Sequence, residues 1–161
     1  MKQNGFIVYK LPKLSILLRI LGFDVYYIPK GNYHSVIGLA KKENKILISR
    51  LKLLRKIPWI LYLSSDNIDE QLKEIISKLN LLIPQDNLFT RCSACNSWLE
   101  GISEEEVKME IPYSVRGKGY WFKKCKECGK IFWNGNHLIT LKKKFDYLNI
   151  TYINDNNEKN R

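Results

Sequence analysis

Arg91-Cys92-Ser93-Ala94-Cys95-Asn96 and Cys125-Lys126-Glu127-Cys128-Gly129 are the two stretches that decide how this chain is read. They hold its four cysteines, in two pairs of the same two-residue spacing with 29 residues between the pairs. Four thiolates so spaced close a tetrahedron around one zinc ion and leave no open position for chemistry. Cys92, Cys95, Cys125 and Cys128 are therefore the expected ligands of one structural zinc. Reduced metal ligands fit better than disulfides, because the start, Met1-Lys2-Gln3-Asn4-Gly5, does not read as a signal peptide.

Working outward from the knuckles, the N-terminal half carries the charge. Residues 1–65 hold twelve Lys or Arg and only two acids, Asp24 and Glu43, whereas residues 66–161 are nearly balanced. The formal net charge of +11 thus sits almost entirely on one side of the chain. Such a surface favours a polyanion; the plainer alternative is a solvated basic face that keeps the protein soluble. No apolar run approaches the roughly 18 residues of a membrane span, so no membrane partner is expected.

The pattern before the cysteines alternates strands with helices. Phe6-Ile7-Val8-Tyr9 is a β-prone run, and Pro12 stands where a helix starts. Leu11, Leu14, Leu17, Leu18 and Leu21 recur at helical spacing up to Gly22. Asp24 to Ile28 reads as a strand, Tyr33 to Ala40 as a helix and Ile46-Leu47-Ile48 as a strand covered on both faces. Arg50 to Lys56 reads as a short basic helix and Trp59 to Leu63 as a buried strand. Asp66 is then placed to cap a helix through Leu79. This predicts an α/β fold, a parallel sheet with helices on both faces, followed by a small β-rich zinc ribbon. The expected division is an α/β domain over 1–85, the ribbon over 86–140, and a basic C-terminal extension over 141–161. Its end, Asn154 to Arg161, reads as disordered.

Several segments together resemble the Mut-seven carboxy-terminal RNase domain family. They are Leu18-Arg19-Ile20-Leu21-Gly22-Phe23-Asp24, Ile46-Leu47-Ile48-Ser49-Arg50, the Arg91 to Asn96 knuckle, and Cys125 to His137 with its Trp133-x-Gly135-x-His137 ending. The resemblance spans roughly residues 5–140 and implies a PIN-like nuclease fold joined to a C-terminal zinc ribbon. It also implies clustered carboxylates that hold Mg²⁺ or Mn²⁺ at the strand ends. Here the chain departs from the family. The acid expected before the first helix falls at Val8 or Tyr9, and a second falls at Leu51; Ile28 to Ser35 has none. Lys10, Lys30 and Arg50 put positive charge there instead. Asp24 reads more simply as a strand-start residue bonded to backbone.

The expected function is a non-catalytic RNA-binding protein with a degenerate PIN-like fold. Its partner would be RNA, such as ribosomal RNA within a cytoplasmic ribonucleoprotein, with no small-molecule substrate. Candidate phosphate contacts are Lys10, Lys13, Arg19, Lys52, Arg55 and Lys56, with Lys123, Lys124 and Lys126 on the ribbon. Two alternatives stay open. One is an active metal-dependent ribonuclease with Asp24 and Asp66 as a reduced site. The other is a regulatory module whose basic face meets an acidic protein. Tyr120, Trp121, Phe122, Phe132 and Trp133 read as ribbon core before they read as a stacking platform. His137 reads as packing rather than a ligand, since four thiols already complete the site, and His34 as surface.

Overall fold

The computed structural model describes residues 5–148 and 152–153. Four strands, β1 (Phe6–Tyr9), β2 (Val25–Ile28), β3 (Ile46–Ser49) and β4 (Leu61–Tyr62), form one all-parallel sheet in the order β2-β1-β3-β4. Central β1 is buried along its whole length, and its residues alternate between two cores. Phe6 and Val8 face one core, with Leu14, Leu17 and Leu18 of α1 (Pro12–Ile20) and Leu72 and Ile75 of α3 (Ile68–Leu79). Ile7 and Tyr9 face the other, with Val36 and Ala40 of α2 (Tyr33–Lys42) and with Leu54 and Ile60. A four-residue strand can hold two layers of helix because each of its side chains is fully withdrawn from water, worth about 1.5–3 kcal/mol apiece.

The expected architecture is present, with local differences. Arg50–Lys56 is not an α-helix: only Lys52–Lys56 winds, as a 3-10 turn anchored by buried Leu54. Ahead of it, Leu51 is extended and gives its N–H to Ser49 Oγ. The strand expected over Trp59–Leu63 shrinks to Leu61–Tyr62, because the Ile60 N–H closes a turn onto the Ile57 carbonyl. Asn67, not Asp66, caps α3, its Oδ1 accepting from the N–H groups of Asp69 and Glu70.

After β5 (Ile83–Pro84) the chain passes close under Gly22, where any Cβ would run into the Asn87 carbonyl. Gly22 has φ +90°, so glycine is required twice over. The second unit is a three-stranded antiparallel sheet of β6 (Leu99–Ile102), β7 (Phe122–Cys125) and β8 (Ile131–Trp133). An insertion carrying the short α4 (Glu104–Val107) covers it, and Val107, Ile111 and Phe122 form its core. The helix α5 (Asn136–Tyr147) returns to the first unit, where Phe145 and Leu148 join the α1/α3 core. β9 (Tyr152–Ile153) pairs with β5. The tail from Asn154, expected to be disordered, lies outside the described residues. No helix among the described residues is long and apolar enough to cross a membrane.

Candidate metal centre and basic edge

The two knuckles fold alike. The N–H of Cys92 reaches the Ser97 carbonyl at 2.7 Å, and the N–H of Asn96 turns back to the Cys92 carbonyl at 2.9 Å. In the second knuckle Cys125 and Lys130, then Gly129 and Cys125, make the same two bonds, both at 2.9 Å. The residue after the second cysteine of each pair sits in the left-handed region, Asn96 at φ +76° and Gly129 at φ +71°. Each tight turn aims both thiols of its pair at one point.

The four sulfurs lie within 4.8 Å of one another. Cys92 and Cys128 are 3.6 Å apart, and Cys95 and Cys125 3.4 Å. A tetrahedron with Zn–S bonds of about 2.3 Å has an edge of about 3.8 Å. The cluster therefore fits one ion, and its donor set is that of zinc. Burial pushes the Cys92 thiol far up, to about 12. Burial also raises Cys95, but bonds from Ser97, Cys125 and Cys128 outweigh it and draw that thiol down to about 6. An arriving ion must displace the remaining protons, so metal uptake weakens as pH falls.

Around the first knuckle lies a polar junction that joins the two units. Arg19, at the end of α1, gives its Nε and Nη2 to the Val25 carbonyl at 3.1 and 2.9 Å. Its Nη1 reaches the Ser93 and Ala94 carbonyls at 3.1 and 2.8 Å. Asn96 Oδ1 accepts the Val25 N–H at 3.0 Å, and its Nδ2 donates to Asp24 Oδ1 at 2.6 Å. Lys45 pairs with Asp24 Oδ2 at 2.7 Å, and Arg91 stands 4.0 Å from the same carboxylate. Burial alone would raise the Asp24 carboxyl, but these partners hold it below its ordinary value. Burial lowers the Arg19 guanidinium, and the neighbouring Cys92, Cys95 and Asp24 charges oppose that shift.

Arg19 is thus corrected as an RNA contact. It is 7% exposed and its donors are occupied by backbone carbonyls. Asp24 and Asp66 are likewise corrected as a shared metal site. Asp24 precedes β2 and Asp66 follows β4, and these strands are the two outer members of the sheet. The two acids stand at diagonally opposite corners, three strand spacings of about 4.8 Å apart besides the strand length. Among the described residues, the four cysteines are the only cluster of three or more His, Cys, Asp or Glu able to hold an ion.

The opposite, C-terminal edge of the sheet is basic. Tyr9 is paired in register with Ile28 on one side and Ser49 on the other. The exposed Lys10, Lys30 and Arg50 therefore follow the ends of three adjacent strands. Lys13 and the Lys52, Arg55 and Lys56 turn are exposed on the same edge. Lys10 has φ +62°, a cost of roughly 1–2 kcal/mol for a residue with a Cβ. It keeps that conformation through its N–H bond to the Ile28 carbonyl, and its ammonium lies 5.0 Å from the Tyr9 ring centre.

The ribbon lysines do not extend this surface, for the ribbon docks at the start of β2, the other end of the sheet. Lys123 donates to the Phe89 carbonyl at 2.9 Å, Lys124 pairs with Glu110 and Lys126 with Glu100, each at 2.7 Å. Of the aromatics, Phe122 is buried and Trp133 and Tyr120 pack on the ribbon core, while Trp121 is 38% exposed. His34 and His137 are exposed.

A family model described as the Mut7-C RNAse domain matches residues 5–145. No curated protein and no solved structure gives a match.

Proposed function

Because this chain belongs to the Mut7-C RNase domain family, we propose that it binds RNA with the edge of the sheet where a nuclease would cut, and does not cut. The observation that carries this reading is the exchange of charge at that edge. A metal-dependent nuclease needs acids there to offset a divalent cation. Here three neighbouring strands run into Lys10, Lys30 and Arg50, and no cluster of acids is found among the described residues. Two Lys and an Arg at one sheet edge repel a cation and attract phosphate. The topology supports the same place, since the chain reverses its direction of strand addition between β1 and β3, and ligands of open parallel sheets bind beyond the strand ends at that point.

Lys13, Lys52, Arg55 and Lys56 extend the surface, and its contacts are to phosphate rather than to bases. The partner we favour is a structured RNA in a cytoplasmic ribonucleoprotein such as the ribosome. The zinc ribbon is a structural part of the protein and takes no share in chemistry. The test is titration of single-stranded RNA with the native chain and with Lys52→Glu/Arg55→Glu/Lys56→Glu. Three lost contacts lower the slope of log affinity against log salt by about 2, at about 0.7 per contact. An unchanged affinity and slope would remove this surface. Manganese-dependent cleavage by the native chain would show that it is a working nuclease.

A further inference from the structure

Three cations are fixed side by side at the C-terminal edge of the sheet. Lys10 follows β1 directly, and its N–H bonds the Ile28 carbonyl, at the end of β2, at 2.9 Å. Next to that bond, the Tyr9 hydroxyl donates to the Gly31 carbonyl at 2.7 Å. The two bonds bracket Pro29 and Lys30, so the chain at Lys30 is held against the end of β1. On the other side Arg50 follows Ser49, the register partner of Tyr9. The Leu51 N–H turns back onto Ser49 Oγ at 3.1 Å and fixes the chain around Arg50. Tyr9 is 2% exposed, so the anchor of the whole arrangement belongs to the core.

Three backbone positions are thus set across two strand spacings of about 4.8 Å each, with Lys10 in the middle. All three side chains are exposed, and none has an ion-pair partner among the described residues. The Lys10 ammonium lies 5.0 Å from the ring centre of Tyr9, the residue whose hydroxyl holds the Lys30 loop. Gly31 takes φ +134°, and a Cβ there would meet nothing within 4 Å, so open space borders that loop and a ligand can approach its backbone. The only acid between Asp24 and Asp66 is Glu43, which stands ahead of β3 at the opposite end.

Such a cluster discriminates between phosphates. A phosphate inside an RNA strand carries a single charge and has two free oxygens, so one or two cations satisfy it. A phosphate monoester carries a charge of about −1.5 to −2 and has three acceptor oxygens. That matches a donor from each of three cations gathered at one place, whereas contacts that follow a strand are spread along it.

We propose that Lys10, Lys30 and Arg50 hold a phosphate monoester at an end of the bound RNA. The inference rests on the RNA-binding reading above and names the group that the RNA presents to the same edge. Lys13, Lys52, Arg55 and Lys56 then meet phosphates further along the strand.

The test is titration of the zinc-loaded full chain with one short oligoribonucleotide in three forms: both ends hydroxyl, 5′-phosphate and 3′-phosphate. One phosphorylated form should bind about tenfold tighter than the hydroxyl form, and which one identifies the end that is held. A hydroxyl-ended strand one nucleotide longer, which adds charge without a monoester, should bind like the shorter one. Lys30→Gln/Arg50→Gln, both at exposed positions, should remove the difference between the forms. Lys52→Glu/Arg55→Glu/Lys56→Glu should weaken every form alike and keep the difference. Equal binding of all three forms by the native chain overturns the proposal and leaves the RNA reading standing. A preference that survives Lys30→Gln/Arg50→Gln puts the end phosphate elsewhere and overturns it as well. If no form binds, both fall.

Discussion

Arg19→Ala is the substitution that best separates a structural from a surface role at the junction. The guanidinium makes four hydrogen bonds to three carbonyls, those of Val25, Ser93 and Ala94. Bonds from a charged donor contribute about 1.5–3 kcal/mol each, and they are not additive when they share one side chain. Water reaches part of the vacated space, so the expected loss is about 4 kcal/mol rather than the full sum. In a chain of this length that lowers Tm by roughly 10 °C. Arg19→Lys keeps the charge and loses the planar fork, and should fall about halfway between.

A second readout isolates the knuckle. Zinc with four thiolates carries a net charge of about −2, and Arg19 supplies positive charge beside it while holding the carbonyls of Ser93 and Ala94. Removing such an outer support lowers metal affinity by about 10- to 100-fold. Zinc release to a colorimetric chelator, followed with thermal unfolding of the loaded protein, measures both effects. Arg19→Ala within about 1 kcal/mol of the native chain, with unchanged zinc release, would refute the assignment of Arg19 to the junction.

The freshly purified, reduced chain should carry one zinc ion, and Cys92→Ser or Cys125→Ser should lose it and unfold the ribbon; elemental analysis and near-ultraviolet circular dichroism decide this. Lys10→Gly should hold or raise stability by up to about 1 kcal/mol, because φ +62° costs glycine little, while it weakens RNA binding; a clear loss of stability would show that Lys10 is structural. Asp24→Asn should destabilise the chain at neutral pH by about 1 kcal/mol. The folded carboxyl is depressed, so its stabilisation is present above the ordinary value of about 3.9 and lost as pH falls through the folded value. The native chain and the Asp24→Asn variant should therefore converge in urea titrations only below about pH 4, and a constant difference at all pH values would contradict the ion pair.

The sequence made the scaffold legible because its signals are local. Leu14, Leu17 and Leu18 repeat at helical spacing and are buried, and Phe6 to Tyr9 is a run short enough to be only a strand. The two cysteine pairs announce their own geometry. What was hidden depends on partners distant in the chain. Arg19 looks like any cation on a basic helix, and nothing near it says that its donors meet carbonyls more than seventy residues away. Asn96 is read most easily as the turn residue that Gly129 is in the second knuckle. Its side chain, free because the turn needs none, reaches Asp24 and Val25 instead. The shortened strand at Leu61 was unreadable for a different reason: Trp59 to Leu63 is apolar throughout, and only the turn from Ile57 decides which of its N–H groups remain for the sheet.

These hidden contacts explain why one end of the sheet is closed and the other free. β2 is an edge strand, and Val25 at its start would present an open N–H and C=O to pairing or aggregation. Asn96 takes the first and Arg19 the second. The knuckle thus serves the α/β unit as an edge cap, and the acid in that region, Asp24, is held by Lys45, Asn96 and Arg91 in a structural role. With the polar groups at the start of β2 met by the ribbon, the other end of the sheet is left with the exposed Lys10, Lys30 and Arg50, which have no ion-pair partner among the described residues. There the strand ends face solvent, and their charge is the complement of a phosphate, which is why the proposed RNA contact is placed at that end.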